Sequence, residues 1–172
     1  LGVFYLPHCK GLVKKENGSY FYDIEDLDHN GNVDLSDGGD RYIAGQATPK
    51  VILGSNISFR YKNYYISIQM NGAFGHKIFN GTGLAYTSMA CFPDYNVLKD
   101  APKKNILDQR VSDYWLEKGD YLNFEHLTIG YDVPLRSKLI RSLRVSCNIS
   151  NIGTITGYKG LTPMINSHVV NS

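Results

Sequence analysis

No run of apolar residues in the 172-residue chain approaches the roughly 18 consecutive positions of a membrane-spanning helix, so a helical membrane protein is excluded. A membrane β-barrel is not, because its strands alternate and never produce such a run. Charge of one sign is also scarce. Eighteen Lys and Arg face 16 Asp and Glu, and the net charge of +2, without any Lys/Arg run, gives no nucleic-acid footprint. The three cysteines, Cys9, Cys91 and Cys147, are odd in number, irregularly spaced and without a Cys-x-x-Cys pair. They suggest neither a metal site nor a disulfide framework and read as unpaired small apolar residues. The five histidines form no His-x-x-x-His or Glu-x-x-His arrangement, and no Gly-x-Ser-x-Gly elbow or phosphate-cradling glycine loop appears, so no enzyme is indicated. Glu125-His126 resembles an acid–base pair, but neighbours on a strand are expected on opposite faces. The Asn-x-Ser/Thr triplets at Asn17, Asn56, Asn80 and Asn148 read as chance, two of them lying inside expected strands. The chain opens at Leu1 without an initiator Met, a basic segment or a signal-peptide core, so further residues are expected upstream.

What is present is tyrosine, 13 residues in a chain that is 42% hydrophobic and 20% charged, which excludes a disordered polyelectrolyte. Clusters of Gly, Asn, Asp and Ser separate short runs rich in Tyr, Ile, Val and Phe, the punctuation of an all-β protein. The clearest unit spans residues 51–74. Val51, Leu53, Ile57, Phe59 and Tyr61 fall on one face, with Asn56, Ser58 and Arg60 on the other. After Lys62-Asn63 the alternation resumes, with Tyr64, Ile66, Ile68, Met70 and Phe74 against Ser67, Gln69 and Asn71. Two strands of about ten residues with a two-residue turn make a hairpin, and Asn63 tolerates the positive φ that such a turn demands. A second pair runs over 121–133 and 143–150. Leu122 and Phe124 are out of phase with Leu127, Ile129, Tyr131 and Val133, which predicts a bulge near Glu125-His126. Pro134 stops pairing, and residues 135–141 form a short connection of about one helical turn. Between the pairs, residues 80–119 show no periodic pattern, and so long a loop implies use.

Strands of this length suit a tilted crossing of a bilayer, which needs about 9–11 residues, apolar toward lipid and polar toward the lumen. Phe59, Tyr61, Tyr64 and Tyr65 gather where the hairpin turns, as in the aromatic girdles of outer-membrane barrels. A soluble β-sandwich also shows one-sided alternation and is the commoner structure, so periodicity alone leaves both open.

One motif carries specific chemistry. In Asp26-Leu27-Asp28-His29-Asn30-Gly31-Asn32-Val33-Asp34-Leu35-Ser36-Asp37, Asp26, Asp28, Asn30, the Asn32 carbonyl, Asp34 and Asp37 occupy positions 1, 3, 5, 7, 9 and 12 of an EF-hand-type calcium loop. Gly31 takes the sharp turn at position 6 and Val33 the anchoring position 8. Asp37 replaces the usual Glu, and Asp40 competes with it for the last place. Four carboxylates this close would repel one another without a cation, so a structural calcium is the expectation. The alternative is a solvated Asn/Asp/Gly turn with no ion.

Several stretches, in collinear order, resemble the C-terminal part of the SusC/RagA family of TonB-dependent outer-membrane receptors. They are the acidic loop, then Asp40-Arg41-Tyr42-Ile43-Ala44-Gly45, Thr48-Pro49-Lys50 and Phe59-Arg60-Tyr61-Lys62-Asn63-Tyr64. Further on come Gly72-Ala73-Phe74-Gly75-His76-Lys77-Ile78-Phe79-Asn80 and Tyr121-Leu122-Asn123-Phe124-Glu125-His126-Leu127-Thr128-Ile129-Gly130-Tyr131. Last are Ser142-Leu143-Arg144-Val145 and Ile155-Thr156-Gly157-Tyr158-Lys159-Gly160-Leu161-Thr162-Pro163. The chain departs from the family pattern at Gly38-Gly39, which separates the acidic loop from Asp40-Arg41, at Asn151-Ile152-Gly153, and at Thr162-Pro163, where Asp-Pro is usual. The resemblance implies an all-β fold, antiparallel strands and hairpins of the C-terminal segment (1–172) of a large transmembrane β-barrel in the outer membrane. Residues 14–49 and 80–120 would be long extracellular loops, and Lys62-Asn63 and 135–141 periplasmic turns. The plug domain, the TonB box and most strands would lie outside this chain. It further implies a fragment of an importer of glycans or peptides, energised through TonB, capped by a SusD-like surface lipoprotein and surrounded by outer-membrane lipid. The alternative function is a soluble, calcium-stapled β-domain that binds carbohydrate.

Overall fold

The structure is a computed structural model and describes residues 2–36, 38–135 and 142–164. The chain divides into two compact units. The first comprises the residues up to Pro49, Gly75–Gly119 and the residues from Tyr158; the second comprises Lys50–Phe74 and Asp120–Gly157.

The second unit is one antiparallel sheet of four strands: β5 (Val51–Tyr61), β6 (Tyr64–Phe74), β9 (Tyr121–Val133) and β10 (Leu143–Thr156). They lie in the order β10-β9-β6-β5. The hairpin expected over 51–74 is present with unbroken register from Val51 opposite Phe74 to Tyr61 opposite Tyr64. The turn differs in one respect: the positive φ (52°) falls on Lys62 and not on Asn63. Asn63 is instead drawn toward β9, where its side-chain amide donates to the Asp132 carbonyl at 2.7 Å and its own carbonyl accepts from the Asp132 amide at 2.8 Å. The bulge also appears where the phase shift required it. Opposite β6, Gln69 faces His126 while the next residue, Met70, faces Phe124, leaving Glu125 as the extra residue. The bulge returns Leu122 and Phe124 to the face of Leu127 and Ile129. Strand β10 runs on to Thr156, past the expected end at 150, because pairing with β9 resumes beyond the bulge from Gly153 opposite Phe124 to Thr156 opposite Tyr121. The expected helical turn at 135–141 lies, from residue 136 onward, outside the described residues.

The first unit contains the short strands β1 (Val3–Leu6), β2 (Cys9–Lys14), β3 (Tyr20–Ile24), β4 (Tyr42–Gln46), β7 (Lys77–Phe79) and β8 (Leu116–Lys118). They pair as β1 with β4, β2 with β3 and β7 with β8. The stretch without periodicity folds as short pieces, including α1 (Gly81–Thr87) and α2 (Ala101–Lys104). Asn80 caps α1 by accepting the Gly83 amide at 2.7 Å and reaches Glu117 Oε1 at 2.8 Å, so its sequon is spent on structure. A small core holds these pieces: Cys9, Tyr22, Ile24, Ile106 and Trp115, with Leu12, Leu35 and Phe79 packed against them. Asp113 fastens it from outside. Its carboxylate meets His8 Nδ1 at 2.6 Å, the Cys9 amide at 2.7 Å and the Tyr42 hydroxyl at 2.8 Å, joining the start of β2 to β4. Partial burial alone would raise the Asp113 carboxyl, but these donors outweigh it and hold it below the usual range. Burial first, and then the contact with Asp113, push the Tyr42 phenol up to about 12. Cys9 is buried, Cys147 is exposed and both are free thiols, while the Cys91 side chain lies outside the described residues.

Candidate functional site

The four-stranded sheet sorts most of its side chains by face, with Ser55 on the apolar side and Ile52 on the polar side as exceptions. One face collects Leu53, Ile57, Phe59 and Tyr61 from β5, Tyr64, Ile66 and Ile68 from β6, Leu127, Ile129 and Tyr131 from β9, and Leu143, Val145, Cys147, Ile149 and Ile155 from β10, since register pairs these positions with one another. Among the described residues this face stays open: Ile57 is 56% exposed, Phe59 64% and Val145 59%. The buried core cluster contains none of these residues. A soluble sandwich would have buried them against a second layer at a gain of roughly 1.5–3 kcal/mol each. A surface of contiguous Ile, Leu, Val and aromatic side chains this large requires a non-aqueous neighbour.

The other face is a hydrogen-bonded polar wall. Ser67 Oγ donates to Asn56 Oδ1 at 2.9 Å and lies 2.9 Å from Ser58 Oγ. Thr128 Oγ1 donates to Asn148 Oδ1 at 2.8 Å and Thr154 Oγ1 to Asn123 Oδ1 at 2.9 Å. The Glu125 carboxylate accepts from Gln69 Nε2 at 2.9 Å and Asn71 Nδ2 at 2.5 Å. This corrects the expectation that Glu125 and His126 point to opposite faces: the bulge turns both to the polar side, where His126 Nδ1 meets Ser150 Oγ at 3.1 Å. Sequence alternation missed Glu125 because an extra residue breaks the period of two. Near the hairpin turn, Asp132 binds Arg144 through two nitrogens, at 2.5 and 3.2 Å, and Arg60 at 3.5 Å. Both guanidinium groups stack on the Tyr65 ring, at 4.9 and 5.8 Å from its centroid. Tyr65 lies flat over Gly130, where an added Cβ would stand 2.0 Å from the ring.

The acidic loop is a self-contained structure between β3 and β4, with no helix on either side. Asp26 Oδ2 accepts the Gly31 amide at 2.8 Å and Asp26 Oδ1 the Asn30 amide at 3.3 Å. Asp28 accepts the Asn30 amide at 3.0 Å and its side-chain amide at 2.7 Å, and Asn30 Oδ1 takes the Asn32 amide at 2.8 Å. Gly31 supplies the positive φ (87°) of the sharp turn, and His29 shares it (58°). Among the described residues, the carboxylate oxygens that converge within 4.8 Å of one another are those of Asp26, Asp28 and Asp40. Asp34 turns away to the Ser36 amide and hydroxyl, both at 2.9 Å, and Asp37 lies outside the described residues.

Asp40 is the residue that the twelve-position pattern leaves out. It is 1% exposed. Its Oδ1 accepts the Leu27 amide at 2.6 Å and its Oδ2 the Asp34 amide at 2.8 Å, so one carboxylate pins both ends of the loop. Gly38-Gly39 brings it there. Gly38 takes a positive φ (93°), and a Cβ on Gly39 would stand 2.4 Å from the Asp34 carbonyl. The chain therefore doubles back, and the Asp40 amide donates to that carbonyl at 2.7 Å. Desolvation would raise the Asp26 carboxyl, but the Gly31 and Asn30 amides hold it below the usual range, and the Ser36 amide and hydroxyl do the same for Asp34. Backbone donors thus relieve part of the mutual repulsion, and the three converging oxygens offer hard-donor chemistry to a cation such as calcium.

A sheet with one oily face, one wet face and strands of 11, 11, 13 and 14 residues is a wall segment of a transmembrane β-barrel. No family model matches the sequence. The chain is 28% identical over 153 residues to TonB-dependent receptor P3 of Formosa agariphila, covering 82% of this chain and 15% of that receptor. It is 25% identical over 171 residues to TonB-dependent receptor SusC of Bacteroides thetaiotaomicron, covering 91% of this chain and 17% of SusC. The fold matches the RagAB peptide transporter, with a TM-score of 0.71 at 18% identity over 94% of this chain and 20% of the solved one. The RagAB peptide importer in its closed-closed state gives 0.69 at 16% identity, with the same coverages. These likenesses support a SusC/RagA-like segment of an outer-membrane TonB-dependent receptor, and the fold is that of a C-terminal barrel segment. It spans about a sixth of the length of the curated relatives that it matches.

Proposed function

We propose that this chain supplies wall and loops to an importer that carries an oligosaccharide or a peptide across the outer membrane, driven through TonB and closed on the outside by a SusD-like lipoprotein. The sheet supports this reading, with an oily face for lipid tails and a hydrogen-bonded face for a water-filled interior. In this reading residues 14–49 and 80–120 are extracellular. Short turns mark the periplasmic side of such barrels. The long excursions, 75–119 and beyond 157, leave the sheet at the end opposite Lys62-Asn63. Alone, four strands with two open edges cannot close a barrel and do not transport.

Single cysteines placed in the full-length receptor, in a background without native thiols, test the faces. A cysteine at Asn56 should react with a water-soluble maleimide in intact outer membranes and one at Ile57 should not; equal labelling would sink the reading. Energised uptake of labelled oligosaccharides and peptides, lost when TonB is deleted, then decides the substrate class.

The acidic loop is assigned a structural calcium, held by Asp26, Asp28 and Asp40 with carbonyl and amide oxygens of the loop. Calorimetric titration should show calcium binding that disappears in Asp26→Ala and Asp40→Ala. Absence of heat in the unaltered protein would retire the site.

A further inference from the structure

Charge is distributed unevenly along this sequence. Two short stretches, 60–65 and 132–144, hold Arg60, Lys62, Arg136, Lys138, Arg141 and Arg144 against Asp132 alone. They carry six of the 18 basic and one of the 16 acidic residues, a local charge of +5 that leaves −3 for everything else. The described residues of both stretches belong to the turn end of the sheet, since Tyr64 pairs with Tyr131 and Leu143 with Val133.

The described residues there have two distinct fates. Arg60 and Arg144 are committed to Asp132 and Tyr65 on the wet face. Lys62 makes no ion pair among the described residues. Its ammonium lies over the ring of Tyr61, 5.3 Å from the centroid. Tyr61 (60% exposed) belongs to the oily face, beside Phe59 and Tyr64, and Tyr64 stacks on Tyr131 at 4.7 Å. An ammonium without a carboxylate partner among the described residues is therefore held at the rim of an aromatic girdle, on the lipid side. A shallow groove of about 740 Å³ opens next to it, lined by Lys62, Asn63, Asp132, Pro134, Ser142 and Arg144.

Aromatic side chains of this kind settle at the headgroup level, and a long cationic side chain beside them extends toward the interface. We infer that Lys62, with the Tyr61–Tyr64–Tyr131 girdle, is a docking site for the phosphate headgroup of an anionic phospholipid in the leaflet facing the periplasm. Charge complementarity selects this occupant: in sequence these two stretches are the basic part of an otherwise slightly acidic chain, and Lys62 is the cation on the lipid-facing rim that makes no ion pair among the described residues. The inference rests on the barrel reading above and adds a lipid partner to it.

The test uses the full-length receptor of which this chain is a segment, placed in nanodiscs containing equal phosphatidylglycerol and phosphatidylcholine, with co-purifying lipid measured by native mass spectrometry. The unaltered receptor should retain phosphatidylglycerol preferentially. Lys62→Gln should lower that preference about five-fold, the factor for about 1 kcal/mol per basic group near an anionic surface. Lys99→Gln, the same charge change at an exposed position of the first unit, should leave it unaltered. Millimolar inorganic phosphate should not displace the lipid. No preference in the unaltered receptor, an equal fall in Lys99→Gln, or displacement by free phosphate would each overturn the inference. A receptor that never enters the bilayer overturns the barrel reading itself, whereas one that enters without lipid preference overturns only the headgroup site.

Discussion

Replacing Ile57 by Arg should destabilise the membrane-inserted receptor far more than replacing its neighbour Asn56 by Arg. Strand β5 has 11 residues, from Val51 to Tyr61. At about 3.3 Å per residue and a tilt near 40°, such a strand rises about 28 Å, close to the apolar band of roughly 25 Å. Its middle residue is Asn56, so Ile57 sits within about 3 Å of mid-height on the oily face, opposite Ile68. A guanidinium there meets hydrocarbon, at a cost of about 2–4 kcal/mol. At Asn56 the same group enters the polar wall, among Ser58, Ser67 and Gln69, and should cost well under 1 kcal/mol. Reversible urea unfolding in phospholipid vesicles, followed by tryptophan fluorescence and by the shift of the folded band on gels, reads both values. Equal costs at the two positions, or a larger cost at Asn56, would refute the assignment of faces.

Gly130→Ala places a methyl group against the Tyr65 ring and should cost about 1–3 kcal/mol in the same assay. The loss should be largely relieved in the double variant with Tyr65→Ala, and additive effects would show that the ring does not rest there. The Asp113 carboxyl is held low in the folded chain, so its contribution is complete above the unfolded value near 3.8 and declines as pH falls through the lower native one. Amide exchange at Cys9 should therefore show protection that drops below about pH 4 in the unaltered protein; Asp113→Asn should weaken that protection at neutral pH and flatten the acid drop. A pH-independent Cys9 amide would contradict the Asp113 tie.

Much of the sheet was legible because a period of two is a local property. Side chains at Val51, Leu53, Ile57 and Phe59 declare a common face whatever lies beyond them, and the phase slip before Leu127 located the bulge. What local pattern could not say is what meets that face. Sandwich and barrel write the same alternation, and it took the uncovered Ile57, Phe59 and Val145 to separate them. Comparable limits applied in the loops. Spacing picked out Asp26 and Asp28, but the third converging carboxylate, Asp40, follows from a doubling back at Gly38-Gly39 that a twelve-residue frame does not contain. The first unit was the least legible, since its core joins Cys9, Tyr22, Ile106 and Trp115 across distant segments with no shared period.

By itself, then, the sequence determined the four strands of the sheet, the face of their alternating residues and the place of the bulge, because these depend on neighbours one to four residues apart. Only the tertiary structure decided that Glu125 joins the wet wall, that Lys62 and not Asn63 takes the positive φ, and that Asp40 closes the acidic loop. Each of these depends on a partner far along the chain, at Asn71, Asp132 and Leu27, which the folded backbone alone brings within hydrogen-bonding distance.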